Sequence, residues 1–192
     1  TIESQVLSIA GVSYEDTGAW QVKVDEAKAA GDSLGGRFQV RANGVIPGLG
    51  SYSQANQRLD AKLMAAIASI PAIKAVSMGS GFDADLTPGS EYHDPIISDP
   101  GAWGGVSRSS NNAGGVEGGL SNGQQVVVEA IIKPIPTLRK GLPSIDLTDM
   151  TATRSTYERS DICVVEAAAV VGEALVALEL ASVLCDRLSQ VT

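Results

Sequence analysis

Residues 164–188 are built mainly from alanine, valine and leucine, and this segment limits the fold more than any other. As one helix it extends about 37 Å at ~1.5 Å per residue, enough to lie across a whole sheet. Val171, Leu175, Leu178 and Leu184 are its expected apolar stripe, and Asp161 is the expected N-cap. Cys163 and Cys185 stand 22 positions apart. On one helix that is roughly 33 Å, too far to bridge, so both read as free core thiols of a reducing compartment.

The layer such a helix needs is visible upstream. Residues 37–45 alternate, with Phe38, Val40 and Ala42 on one side and Arg37, Gln39 and Arg41 on the other. That is the pattern of a half-buried antiparallel strand. Residues 125–132 are β-branched and nearly continuous, which predicts a central strand. Residues 4–12 and 73–78 read as further strands. Leu59, Leu63, Ile67 and Ile70 fall at helical spacing, and Pro71 ends that helix because it lacks an N–H and disfavours helix before it. Residues 20–30 read as a surface helix, with Val22, Ala27 and Ala30 near one face and Gly31 as its left-handed cap. Aromatic residues are only 4% of the chain, so the core must be aliphatic. The expected class is α+β, an antiparallel sheet with helices packed outside it. No linker divides the chain, so residues 1–192 are expected to form a single domain.

Charge removes several functions. With 14 Lys+Arg against 22 Asp+Glu, the net charge is −8, and no basic run occurs. Nucleic acid and anionic membrane surfaces both need clustered cations, so neither is an expected partner. No apolar run reads as long enough to span a bilayer. His93 is the lone histidine, and no Cys/His spacing suggests a metal site. Within its polar loop His93 is assigned no role.

Residues 79–122 hold many of the 21 glycines and little periodicity, the mark of a functional or mobile loop. Within it, NNAGGVEGGLSNG at 111–123 has five glycines and three asparagines. Such a backbone can turn several N–H groups toward one anion or a flavin ring. GDSLGG at 31–36 also permits close approach to a ligand, or is simply a cap and turn. After the valine-rich strand, Lys133, Pro134, Ile135, Pro136 and Thr137 set one cation and one hydroxyl in a rigid frame suited to a phosphate monoester. Arg159 and Asp161 precede the long helix, where Arg159 could meet a ligand and Asp161 could move a proton.

These segments, in this order, resemble the C-terminal part of chorismate synthase. The resemblance is carried by GDSLGG (31–36), PGLGS (47–51), LDAKLMAAIASIPAIKAVSMGSGF (59–82), GSEYHD (89–94), NNAGGVEGGLSNGQ (111–124), KPIPT (133–137) and RSDIC (159–163). Ala75 and Ile162 depart from the family's usual residues. The resemblance implies a β-α-β sandwich and a cytoplasmic, NADPH-linked homotetramer of the shikimate pathway. It implies a lyase that eliminates phosphate from 5-enolpyruvylshikimate 3-phosphate to give chorismate, with reduced FMN. FMN contacts are implied at Pro71, Ala72, Gly118, Lys133, Pro134, Ile135, Pro136, Thr137 and Arg159, and proton handling at Asp161. No metal is implied. The family's N-terminal Gly-Ser-His-Gly segment and substrate arginines are not among these residues. The 192 residues alone, a truncated core of that family, are therefore expected to turn over weakly or not at all. The alternative reading is a non-catalytic flavin- or phosphate-binding module. The Asn/Gly stretch, Lys133 and Arg159 are expected to meet around one flavin-sized hollow.

Overall fold

The computed structural model describes residues 1–189. In chain order its elements are β1 (Ile2–Ile9), β2 (Val12–Ser13), α1 (Thr17–Ala30), β3 (Gly36–Ala42), α2 (Leu59–Ala68), β4 (Ile73–Met78), α3 (Gly89–Tyr92), β5 (Ile96–Ser98), β6 (Val106–Arg108), β7 (Val116–Glu117), β8 (Leu120–Ser121), β9 (Val126–Ile132), β10 (Pro143–Ile145), β11 (Ala152–Arg154) and α4 (Val165–Ser189). Five strands make one antiparallel sheet in the order β2-β1-β3-β9-β4. The class is α+β, as the alternation at residues 37–45 predicts. The strand expected over residues 4–12 is interrupted. Ala10 and Gly11 both take positive φ (50° and 78°) and turn the chain back into β2, the signature of a tight hairpin.

Phe38, Val40 and Ala42 of β3 and Val126, Val128, Ala130 and Ile132 of β9 are buried on one face of the sheet. Against that face lie α2, through Leu59, Leu63 and Ile67, and α4. The stripe of α4 is not the expected one. Val165, Ala168, Ala169, Gly172, Val176, Leu180 and Val183 are buried, while Val171, Leu178 and Leu184 face outward. The helix is apolar on nearly every side, so hydrophobicity does not choose the face; size does. A Cβ on Gly172 would stand 2.9 Å from Phe38 Cε2 and 3.1 Å from Ile67 Cδ1. The small residues let α4 settle onto the aromatic ring. The helix is also long and apolar enough, by length and composition, to cross a bilayer. That corrects the expectation that no run was, although its inner face is packed on the sheet.

Two further expectations change. The inner side of α1 is Trp20, Val24 and Ala27, while Val22 is 55% exposed. Gly31 does cap α1 with φ 69°. Cys185 is exposed and Cys163 is half-buried ahead of α4, so neither is a fully buried core thiol, though both are free.

On the sheet's other face, the Arg37 guanidinium pairs with Glu129 and lies 4.8 Å from the Phe82 ring centre. Burial pushes the Glu129 carboxyl above its ordinary value; Arg37 opposes the shift and Asp83 adds to it. A raised value means that the folded protein holds this proton more tightly than the unfolded chain. The associated stability is present at low pH and is lost as pH rises through the folded value. Arg37→Ala removes the opposing charge and is expected to raise the Glu129 value further, read by carboxyl NMR titration. Gly172→Val is expected to cost about 1–3 kcal/mol by overpacking, seen as a lowered thermal midpoint, with Gly172→Ala losing less.

Candidate functional site

The turn after α2 and the end of β9 meet first. Ala72, at φ 71°, offers its carbonyl to the Lys133 N–H at 3.0 Å. Ile73 pairs with Ile132 in the sheet, which fixes Pro71 and Ala72 beside the strand exit. The exit segment is then tied down from two sides. Buried Ser33 donates its hydroxyl to the Ile135 carbonyl at 2.5 Å. Thr137 donates to the Ser160 hydroxyl at 2.9 Å, and Ser160 donates to the Thr137 carbonyl at 3.1 Å. The Leu34 N–H bonds the Ile162 carbonyl at 2.7 Å, holding the 159–163 segment to the 31–36 loop.

Nine of the ten residues singled out in the sequence thus lie on segments joined at one end of the sheet: Pro71, Ala72, Lys133, Pro134, Ile135, Pro136, Thr137, Arg159 and Asp161. Lys133, Pro134, Pro136, Arg159 and Asp161 are exposed, and Ile135 and Thr137 are half-buried. Lys133 and Arg159 enter no ion pair among the described residues, so their charge is available to an anion. Asp161 is not the N-cap of α4. The helix starts four residues later, because residue 162 is bonded to Leu34 outside any helix. Two hollows of ≈ 430 Å³ flank this end. One is lined by Trp20, Val24, Asp161 and Cys163, the other by Ser8, Gly11, Lys133 and Pro134. A hollow of ≈ 440 Å³ near Lys62 and Arg187 touches none of the ten. Among the described residues no cluster of His, Cys, Asp and Glu could hold a metal ion.

Gly118 lies elsewhere. It sits with φ 60° in the turn between β7 and β8, open to solvent. The Asn/Gly stretch is fastened to the start of β9, where the Val127 N–H bonds the Gly114 carbonyl at 3.1 Å and Asn111 bonds the Gln125 carbonyl at 2.8 Å. Lys133 is at the strand's other end, six residues on, or about 20 Å. The expected single hollow shared by the Asn/Gly stretch, Lys133 and Arg159 is therefore not formed within one chain.

The donors of that stretch have an internal acceptor instead. The Asp94 carboxylate takes the N–H of Asn112 at 2.8 Å, the N–H of Ala113 at 2.9 Å and the Ser110 hydroxyl at 2.6 Å. Close packing locks the loop at Gly79, where a Cβ would meet the Asn112 carbonyl at 2.2 Å and the Gly114 nitrogen at 2.4 Å. Ser33, Ser160 and Asp94 were not singled out by the sequence. All three sit inside segments that were noted, but nothing local marks which distant carbonyl or amide each serves. His93 is exposed, edge-on to Tyr92.

The chorismate synthase family model matches residues 4–185. The chain belongs to the chorismate synthase family. It is 50% identical over 165 residues to a chorismate synthase of Desulforudis audaxviator, covering 86% of this chain and 42% of that protein. To one from Thermoanaerobacter pseudethanolicus it is 48% identical over 180 residues, 94% of this chain and 50% of that protein. A crystal structure of chorismate synthase superposes with a TM-score of 0.79 at 34% identity, covering 97% of this chain and 57% of that one. The chain spans about half the length of the curated chorismate synthases it matches.

Burial pushes the Asp94 carboxyl up, but the bonds from Ser110, Ala113 and Asn112 and the charge of Arg108 outweigh it, leaving the value below the usual one. A lowered value contributes stability above the unfolded value that is lost as pH falls through the folded one. Asp94→Ala is expected to cost about 1.5–3 kcal/mol of local stability and to speed proteolytic cleavage within residues 94–115. Wild-type protein should show the same opening on acidification.

Proposed function

We propose that this chain forms the flavin-holding part of a chorismate synthase, which converts 5-enolpyruvylshikimate 3-phosphate to chorismate with reduced FMN. The supporting observation is the gathering of Pro71, Ala72, Lys133–Thr137 and Arg159–Asp161 at one sheet end by bonds that run from four separate segments. Residues 1–192 would act as one domain. The same reading carries NADPH-linked flavin reduction, a homotetramer and a cytoplasmic location.

The residues fit the cofactor. A flavin phosphate needs fixed cations and hydroxyls, and Lys133, Arg159 and Thr137 supply them on a frame stiffened by Pro134 and Pro136. The Thr137 hydroxyl donates to Ser160, so it can donate to a phosphate oxygen only by turning away from that partner, while Lys133 and Arg159 donate directly. Pro71 and the left-handed Ala72 give an apolar backbone edge. When bound, reduced FMN supplies electron density to a substrate losing phosphate. The chain's own contribution is to orient that ring, to counter phosphate charge through Lys133 and Arg159, and to accept or return a proton at the Asp161 carboxylate. Gly118, in the β7–β8 turn of the loop fastened to the far end of β9, belongs to this set by family likeness alone, and a cofactor seated at Lys133 of the same chain does not depend on it.

Lys133→Ala and Arg159→Ala are each expected to weaken FMN binding by about tenfold to a hundredfold, since a hydrogen bond to a charged group is worth about 1.5–3 kcal/mol. Flavin fluorescence titration reads this directly. Asp161→Asn should leave that affinity within about twofold. Unchanged affinity in both cation variants would sink the reading.

A further inference from the structure

Residues 142–157 leave the body of the protein as an arm. Among the described residues its strands β10 and β11 pair only with each other. A lone two-stranded hairpin is marginal in water unless something packs on it. This one exposes Leu142, Ile145, Leu147, Met150 and Tyr157, with Leu147 at 82% and Met150 at 67%. Its tip is nevertheless rigid. The Asp146 N–H bonds the Thr151 carbonyl at 2.8 Å and the Met150 N–H bonds the Asp146 carbonyl at 2.7 Å. The Asp146 carboxylate takes the Thr148 N–H, and that of Asp149 takes both the N–H and the hydroxyl of Thr151. Met150 is held at φ 61°, a conformation that costs a non-glycine residue about 1–2 kcal/mol. A preformed, strained and acidic knob with two bare aliphatic side chains is shaped to enter something.

The chain carries a matching recess. Between α2 and β4 lies a groove of ≈ 320 Å³ lined by Met64, Ala65, Ala68, Ile73 and Val76, with Lys74 and Ala75 on its rim. β4 is the last strand of its sheet, so its outer backbone groups are unpaired by any strand. Lys74 is exposed and joins no ion pair among the described residues. On a molecule of net charge −8, most of the surface repels Asp146 and Asp149; an apolar groove with a free lysine does not.

We propose that the β10–β11 arm docks on a second copy of this chain, seating Leu147 and Met150 in the α2–β4 groove with Asp146 and Asp149 facing Lys74. Exchange is reciprocal about a two-fold axis, so each copy gives an arm and a groove. This rests on the homo-oligomer part of the function proposed above and adds the surface. Because Lys74 follows Ala72 by two positions, the docked tip would lie next to the cofactor end.

Sedimentation of the 192-residue chain over a range of concentrations tests it. Wild type is expected to dimerise. The double substitution Leu147→Asp, Met150→Asp should leave it monomeric, with unchanged circular dichroism because the arm lies outside the core, and with a thermal midpoint that no longer rises with concentration. Lys74→Glu should weaken the dimer about tenfold or more, a 1.4 kcal/mol change. Adding Thr148→Lys, which keeps both tip carboxylates, should recover part of that loss. A wild-type chain monomeric at every concentration overturns both the docking and the self-association it rests on. A dimer indifferent to the tip and Lys74 variants overturns the docking alone.

Discussion

The contact between Gly172 and the Phe38 ring sets the spacing of the whole molecule. Phe38 lies fully buried in β3, and only a residue without a side chain lets α4 come down onto it. From that point α4 runs in both directions, beginning against Gly36 and ending near Lys62 and Gly50. Ile67 reaches the same glycine from α2, so the two helices and the sheet share one point of closest approach. Burial of a large aliphatic or aromatic side chain contributes about 1.5–3 kcal/mol, and here the largest such side chains converge where the backbone is barest.

That geometry divides the polar chemistry between two ends. β9 passes through the middle of the packing, with the glycine and asparagine loop at its start and Lys133 at its finish. At the start, peptide donors are consumed by Asp94, and the loop is a self-contained structure. At the finish, hydroxyls of Ser33, Thr137 and Ser160 stitch segments together while Lys133, Arg159 and Asp161 keep their charges outward. The first end is satisfied and the second is available, which is why the second is the better candidate for ligand chemistry.

Much of the fold was legible in the sequence because its signals are local. Leu59, Leu63 and Ile67 declare a helix, Pro71 stops it, and residues 73–78 and 126–132 form strands as their β-branched content predicts. What stayed hidden needed partners far along the chain. In residues 164–188 apolar side chains cover nearly every direction, so periodicity could not reveal that alanines and Gly172 turn inward. Asp161 has the chemistry of a cap, but the Leu34–Ile162 bond holds its neighbours out of the helix. The Asn/Gly donors looked free because Asp94 is 16 to 19 positions from the residues it serves. At the candidate site, the cations were readable from type and place; the serines that brace them were not.

Thr137 and Ser160 meet hydroxyl to hydroxyl, so everything between them departs from and returns to one spot on the surface. Closing a loop depends only weakly on its length; each doubling adds about 0.6 kcal/mol. Relatives can therefore lengthen, trim or reshape the intervening stretch with little energetic consequence for the sheet or the cofactor end. Its length is thus loosely held by the fold, and what its tip meets is the stricter constraint on it.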